Sequence, residues 1–307
     1  MEQRTYRYLR LGMAGVLLAL AVSVALEVTG SGGCWQRSIS AYYYTPTRPV
    51  LVGALLVLGF AMVVLVGRTP AEEVALDLAG LLAPVVAFVP TTDVNTCSLG
   101  PGPAASAAAA VHQVADAVSN NMATYLAVVP AALVALQVLP AVFSRMRDDD
   151  EADPLWARTR RASYAVGWLF TIAYVAWWRL GGGTAFRRWA HPVSAVLLFV
   201  CIVVAVAATA YDRTATRRRD EPAATFARRL GPRVLASLRS AYGLLAVAMV
   251  LSAGVCAAVR LLTGWPHWVL AVEVSMVSLF AVFWLVQTVE LWDGEPRLRH
   301  AGAGVRD

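Results

Sequence analysis

The sequence predicts an all-α fold: a polytopic transmembrane helix bundle of about eight spans, with both termini cytoplasmic. Three observations predict it. Of 307 residues, 58% are hydrophobic and only 15% are charged, where a soluble domain carries roughly a quarter charged residues. The apolar residues gather in runs of about 20, the length a helix needs to cross a bilayer's hydrocarbon core. The arginines lie between those runs, with a strong bias to one side.

The apolar segments are about 11–29, 49–67, 75–90, 107–143, 161–179, 191–211, 240–263 and 267–290. Residues 1–293 form a single transmembrane domain and 294–307 a short cytoplasmic tail. The first segment follows a basic start, "MEQRTYRYLRLG". No A-x-A site precedes a soluble domain, so a retained helix is expected rather than a cleaved signal peptide. The third segment rises only about 24 Å as a helix. It therefore needs local bilayer thinning or a cover of protein. The fourth is long, with a polar first half. On the eighth, Glu273, Val277, Phe280, Trp284 and Gln287 share one helical stripe. A cavity lining and ordinary bundle packing both fit that stripe.

An even number of spans puts both termini on one side. Every basic residue is arginine, and 20 of the 26 fall on the side of the N-terminus. They include Arg4, Arg7, Arg10, Arg68, Arg158 and the run Arg217 to Arg219. Arg37, Arg48, Arg179, Arg187, Arg188 and Arg260 lie on the other. Positive loops stay cytoplasmic, which sets the orientation and places the chain in the plasma membrane. The same bias accounts for a pI near 9.4 without nucleic acid. Membrane lipids are the expected partners.

With this orientation "SISAYYYTPTRP" (residues 38–49) enters the second span from outside. Its tyrosines fit an interfacial aromatic belt, or a wall over an outward cavity. Other costly groups share that depth: Glu27, Asp93, His112, Asp116, His191, Arg260 and Glu273. Ionisable groups within membranes are expensive and face a cavity or one another. Ser38, Ser40, Tyr42, Tyr43 and Arg48 join them as candidate ligand-binding residues. Arg260 and Glu273 flank the hairpin "TGWPHW" and are expected to pair.

Cys34 and Cys97 both fall in outer loops, where a disulfide is expected to join them; Cys201 and Cys256 lie mid-span. No Walker loop, dinucleotide fingerprint, zinc-protease motif or nucleophile elbow is present. No cofactor is expected on the first reading.

"SISAYYYTPTRPVLVGALLVLG", "LAGLLAPVVAFVPT", "SNNMATYL" and "LFAVFWLVQTVELW" together resemble a group of uncharacterised actinobacterial multi-pass membrane proteins. That resemblance implies an integral plasma-membrane protein and supplies no substrate. In residue types the chain is also distantly similar to alkaline-ceramidase-like membrane hydrolases. That likeness implies catalytic zinc, for which His112, His191 and Asp116 are the available ligands. The paired H-x-x-x-H of that superfamily's last span is missing here.

Three functions follow as expectations. The first is a membrane protein whose outward polar cavity binds or moves a small solute or lipid headgroup. The second is a zinc-dependent hydrolase of a lipid amide or ester. The third is a membrane scaffold whose cytoplasmic loops meet a partner.

Overall fold

The computed structural model describes residues 2–93, 95, 111–142, 154–217, 237–238 and 240–290. Among them every regular element is helical and there is no strand. Eight long helices follow one another: α1 (Glu2–Gly30), α2 (Arg48–Val64), α3 (Pro70–Phe88), α4 (Ala115–Val142), α5 (Pro154–Leu180), α6 (Gly183–Arg217), α7 (Ala241–Thr263) and α8 (Trp268–Glu290). A short 3-10 turn, Ser40–Tyr44, precedes α2. Each predicted apolar segment overlaps one of these helices, and residues 107–110 and 143 of the fourth lie outside the described residues.

Five of the helices are long and apolar enough to cross a membrane: α1, α4, α6, α7 and α8. Their outward surfaces suit lipid. Leu244, Leu251, Val255, Leu261 and Leu262 of α7 are all at least 59% exposed. Of the others, α2 has 17 residues. The α3 helix opens with Glu72 and Glu73, and α5 carries Arg158, Arg160 and Arg161 in its first two turns.

The chain punctuates these helices with predictable chemistry. Gly32 (φ 70°) and Gly33 (φ 90°) turn the chain out of α1, in backbone geometry that a Cβ disfavours. Thr69 caps α3: its hydroxyl accepts the Glu72 N–H at 3.1 Å, and Pro70 occupies the first turn, where no N–H is needed. Gly264 (φ 71°) ends α7 and donates its N–H to the Arg260 carbonyl at 2.9 Å.

Six helices close a ring in the order α1, α2, α3, α6, α7, α8 and back to α1, while α4 and α5 pack on the outer side of α3. The α3 helix is thus covered by protein on several sides. The helix starts five residues before the predicted segment and has 19 residues, so the cover of protein serves its acidic first turn and not a shortage of length. Its crossing with α2 is close because both helices offer glycine. A Cβ on Gly80 would stand 2.6 Å from the Gly59 carbonyl oxygen and 2.5 Å from Val63. Pro84 lies inside α3 and has no N–H for the Gly80 carbonyl four residues earlier. That freed oxygen sits 2.9 Å from where a Gly59 Cβ would be. Small residues at such a contact let backbones approach and replace the missing hydrophobic drive between helices in lipid.

Candidate functional site

Two polar constructions stand at opposite ends of the ring. The first is the segment from Ser31 to Thr47, which crosses the end opposite the N-terminus as a buried strap. Gln36, Ala41 and Tyr42 are 0% exposed. Ser38, Ser40, Tyr43, Thr45 and Thr47 are buried as well.

A buried irregular segment must find partners for its backbone and polar side chains, and this one finds them on three sides. The Gln36 side chain donates to the Asn95 carbonyl (3.0 Å) and accepts from its N–H (2.9 Å). The Asn95 side chain donates to the Trp35 carbonyl at 3.0 Å. On the α8 side, the Leu270 N–H donates to the Arg37 carbonyl at 2.9 Å. The Ile39 N–H donates to the Glu273 carboxylate, which the Ser40 amide and hydroxyl also face. On the α1 side, the Thr47 hydroxyl donates to the Ser23 carbonyl at 3.3 Å.

The three tyrosines are consumed in this construction. Tyr42 accepts the Gln36 N–H at 3.3 Å. Tyr43 accepts from the Arg48 guanidinium at 2.7 Å, and that guanidinium carbon lies 4.1 Å from the ring centroid. Tyr44 donates to the Thr91 carbonyl at 2.9 Å. Burial raises the Tyr42 and Tyr44 phenols above their ordinary values. The Gln36 N–H works against that rise at Tyr42 and Glu27 adds to it. Tyr42 and Tyr43 therefore fill this end of the ring instead of walling an open cavity.

The remaining candidates are scattered. Asp93 pairs with Arg37 at 2.7 Å, with both side chains about half exposed. His112 and Asp116 are exposed at the start of α4. His191 is 4% exposed, and its Nδ1 lies 2.6 Å from the Val89 carbonyl. A carbonyl only accepts, so Nδ1 carries the hydrogen and the ring ties α6 to the end of α3. The expected pair of Arg260 with Glu273 does not form. Arg260 donates to the Gly264 carbonyl at 2.6 Å and caps its own helix, while Glu273 turns to the strap. Nor does the structure gather His112, His191 and Asp116. Among the described residues, no three histidine, cysteine or acidic side chains could hold a metal. Cys34 is disulfide-bonded and Cys201 and Cys256 are free thiols; Cys97 lies outside the described residues, as do most of the 212–239 loop and the tail.

Beside the strap lies a shallow cleft of about 410 Å³, lined by Ser31 to Trp35, Asn95 and His267. Trp35 is 52% exposed there. His267 Nδ1 is 3.1 Å from the Gln36 carbonyl, so it donates and leaves Nε2 for another group. Trp265 stands edge-on to the His267 ring at 6.1 Å.

The second construction, at the N-terminal end, went unread in the sequence. Arg10 is 8% exposed and Glu72 2%. The Glu72 carboxylate accepts the Arg68 N–H at 2.9 Å and faces Thr209 and Gln287. Glu73 accepts the Gly67 N–H, and Tyr242 donates to Glu290 at 2.6 Å. The stripe on α8 ends here, with Phe280, Trp284 and Gln287 buried at 4%, 1% and 1% exposure. The capping pattern "TPAEE" and an arginine at the edge of the first apolar run were the available signals. Nothing in one dimension says that they meet.

No family model matches the chain, no curated protein matches it, and no solved structure matches it.

Proposed function

We propose that the chain is a plasma-membrane protein that crosses the bilayer eight times with both termini cytoplasmic, and that its outer cleft binds a small polar solute or a lipid headgroup. The cleft between the strap and His267 carries this reading. It joins an exposed indole face, an imidazole Nε2, an Asn95 backbone fixed by Gln36, and a floor held by the Cys34 disulfide. Pockets that fix a ligand combine apolar wall with a few converging polar groups. A hydroxylated or zwitterionic headgroup offers both the apolar face and the donors that this set accepts. The arginine bias supplies the orientation that turns the cleft outward. The expected partner of Cys34 is Cys97, which would pin the strap to the loop that carries Asp93.

Binding is tested with the full chain in nanodiscs. Tryptophan emission is titrated with phosphocholine, phosphoethanolamine and glycerol phosphate. At least one is expected to give a saturable change that His267→Ala abolishes. No saturable change with any of the three, or one that survives His267→Ala, overturns the reading. Orientation is tested separately. A cysteine at exposed Thr184 should react with an impermeant maleimide from outside intact cells, and one at exposed Arg158 only after lysis. The reverse pattern inverts the topology.

A further inference from the structure

We infer that the hairpin joining α5 to α6 docks on anionic phospholipid of the outer leaflet through Arg179, Arg187 and Arg188. Six arginines lie on the side away from the N-terminus, and the protein itself engages three of them. Arg37 pairs with Asp93, Arg48 donates to the Tyr43 hydroxyl and Arg260 donates to the Gly264 carbonyl. The three hairpin arginines are left over. Among the described residues, none of them has a carboxylate within ion-pair distance or a hydrogen bond to the protein. The chain carries no acidic residue between Asp153 and Asp212 that could offset them locally.

Their placement suits a layer of phosphates rather than one enclosed ion. Arg179 and Arg188 are exposed and Arg187 is half-buried. Phe186 meets Trp177 and Trp178, at 5.3 and 5.2 Å between ring centroids, so the end of α5 and the start of α6 stand side by side. Arg179 follows Trp178 and Arg187 follows Phe186, each next to that contact. The Arg187 Nη1 lies 3.6 Å from where a Gly183 Cβ would be, so the turn brings no side chain over it there. The Arg188 guanidinium carbon is 5.5 Å from the Trp189 ring centroid, and that indole is 53% exposed. The apolar run of α6 begins at Pro192, four residues after Arg188 and five after Arg187. That is about 6–8 Å along a helix, and the headgroup layer beyond the hydrocarbon is about 5–8 Å thick. An exposed indole belongs at this level, and guanidinium forks match phosphate oxygens. A zwitterionic headgroup offsets its phosphate with its own ammonium, whereas an anionic one leaves its charge for arginine. For depth and leaflet the inference rests on the eight-span reading.

A local probe tests it. The full chain bearing Thr184→Cys is labelled with bimane and placed in phosphatidylcholine nanodiscs. Nitroxide-labelled phosphatidylglycerol or nitroxide-labelled phosphatidylcholine is then added, and quenching is read against lipid fraction. Phosphatidylglycerol is expected to reach half-maximal quenching at the lower fraction. Arg188→Gln should raise that fraction about fivefold, the worth of one arginine at an anionic surface. Arg188→Lys keeps the charge and should leave it nearly unchanged, as should Arg37→Gln, whose charge Asp93 already offsets. Equal quenching by the two lipids overturns the inference alone. So does a Lys or Arg37 variant that acts like Arg188→Gln, or reversal of the quenching by soluble glycerol phosphate. No quenching by either lipid removes the eight-span reading with it. Both nanodisc leaflets carry the same lipids, so an inverted topology leaves these outcomes unchanged and shows only in maleimide labelling of cells. None of the substituted residues lines the cleft.

Discussion

Glu273 on α8 receives the backbone N–H of Ile39, 234 residues earlier in the chain. The Ser40 amide and hydroxyl face the same carboxylate. An acidic residue near the end of a helix thus satisfies the donors of a turn that would otherwise be buried without partners. Its place in the sequence suggests a ligand or an arginine partner. The fold gives it the strap.

Removing that acceptor should loosen the strap. Glu273→Ala is expected to cost about 1–3 kcal/mol, the penalty for leaving a buried donor unsatisfied. Glu273→Gln keeps one acceptor oxygen and should cost less. The order of thermal midpoints, wild type above Gln above Ala, checks this. Protease cleavage within 31–47 should rise in the same order. Equal midpoints for wild type and Ala would show that the carboxylate holds nothing.

The crossing of α2 and α3 depends on two missing side chains. Gly80→Ala places a Cβ 2.5 Å from Val63 and 2.6 Å from the Gly59 carbonyl oxygen. The helices must separate, at an expected cost of about 1–3 kcal/mol, as for other overpacked contacts. Gly12→Ala provides the control, since nothing lies within 4 Å of its Cβ position. The thermal midpoint should fall for the first and not for the second.

Alkaline pH should act through the tyrosines of the strap. Burial raises the Tyr42 and Tyr44 phenols, so the folded state holds their protons more tightly than the unfolded chain. Between the unfolded value, about 10, and the raised folded values, unfolding releases protons. The stabilisation is complete below about pH 10 and is lost as pH rises through the folded values. Phenolate absorbance should show these two tyrosines silent until the fold gives way, and Tyr42→Phe with Tyr44→Phe should remove that latent signal. Full ionisation of every tyrosine near pH 10 in the folded protein would contradict the burial.

Some of this was written along the chain and some was not. The helices were legible because apolar runs of membrane length, a capping threonine and left-handed glycines all act within a few residues. Composition alone marked the "AYYY" stretch and Glu273 as costly to bury. Which partners would offset that cost was invisible, because Gln36 meets Asn95 and Ile39 meets Glu273 only once the ring has closed. Charge type also misled: Arg260 and Glu273 lie close along the chain, yet the end of α7 claims Arg260 through the Gly264 carbonyl.

The amino-acid order by itself determined an all-helical, lipid-compatible chain, because hydrogen bonding and apolar periodicity are local. The tertiary structure alone decided that α3 is enclosed, that the tyrosines plug one end, and that Arg10 meets the Trp284 ring at the other. Those outcomes depend on which helix faces which, and that is settled by glycine contacts and buried polar pairs between residues far apart in the chain.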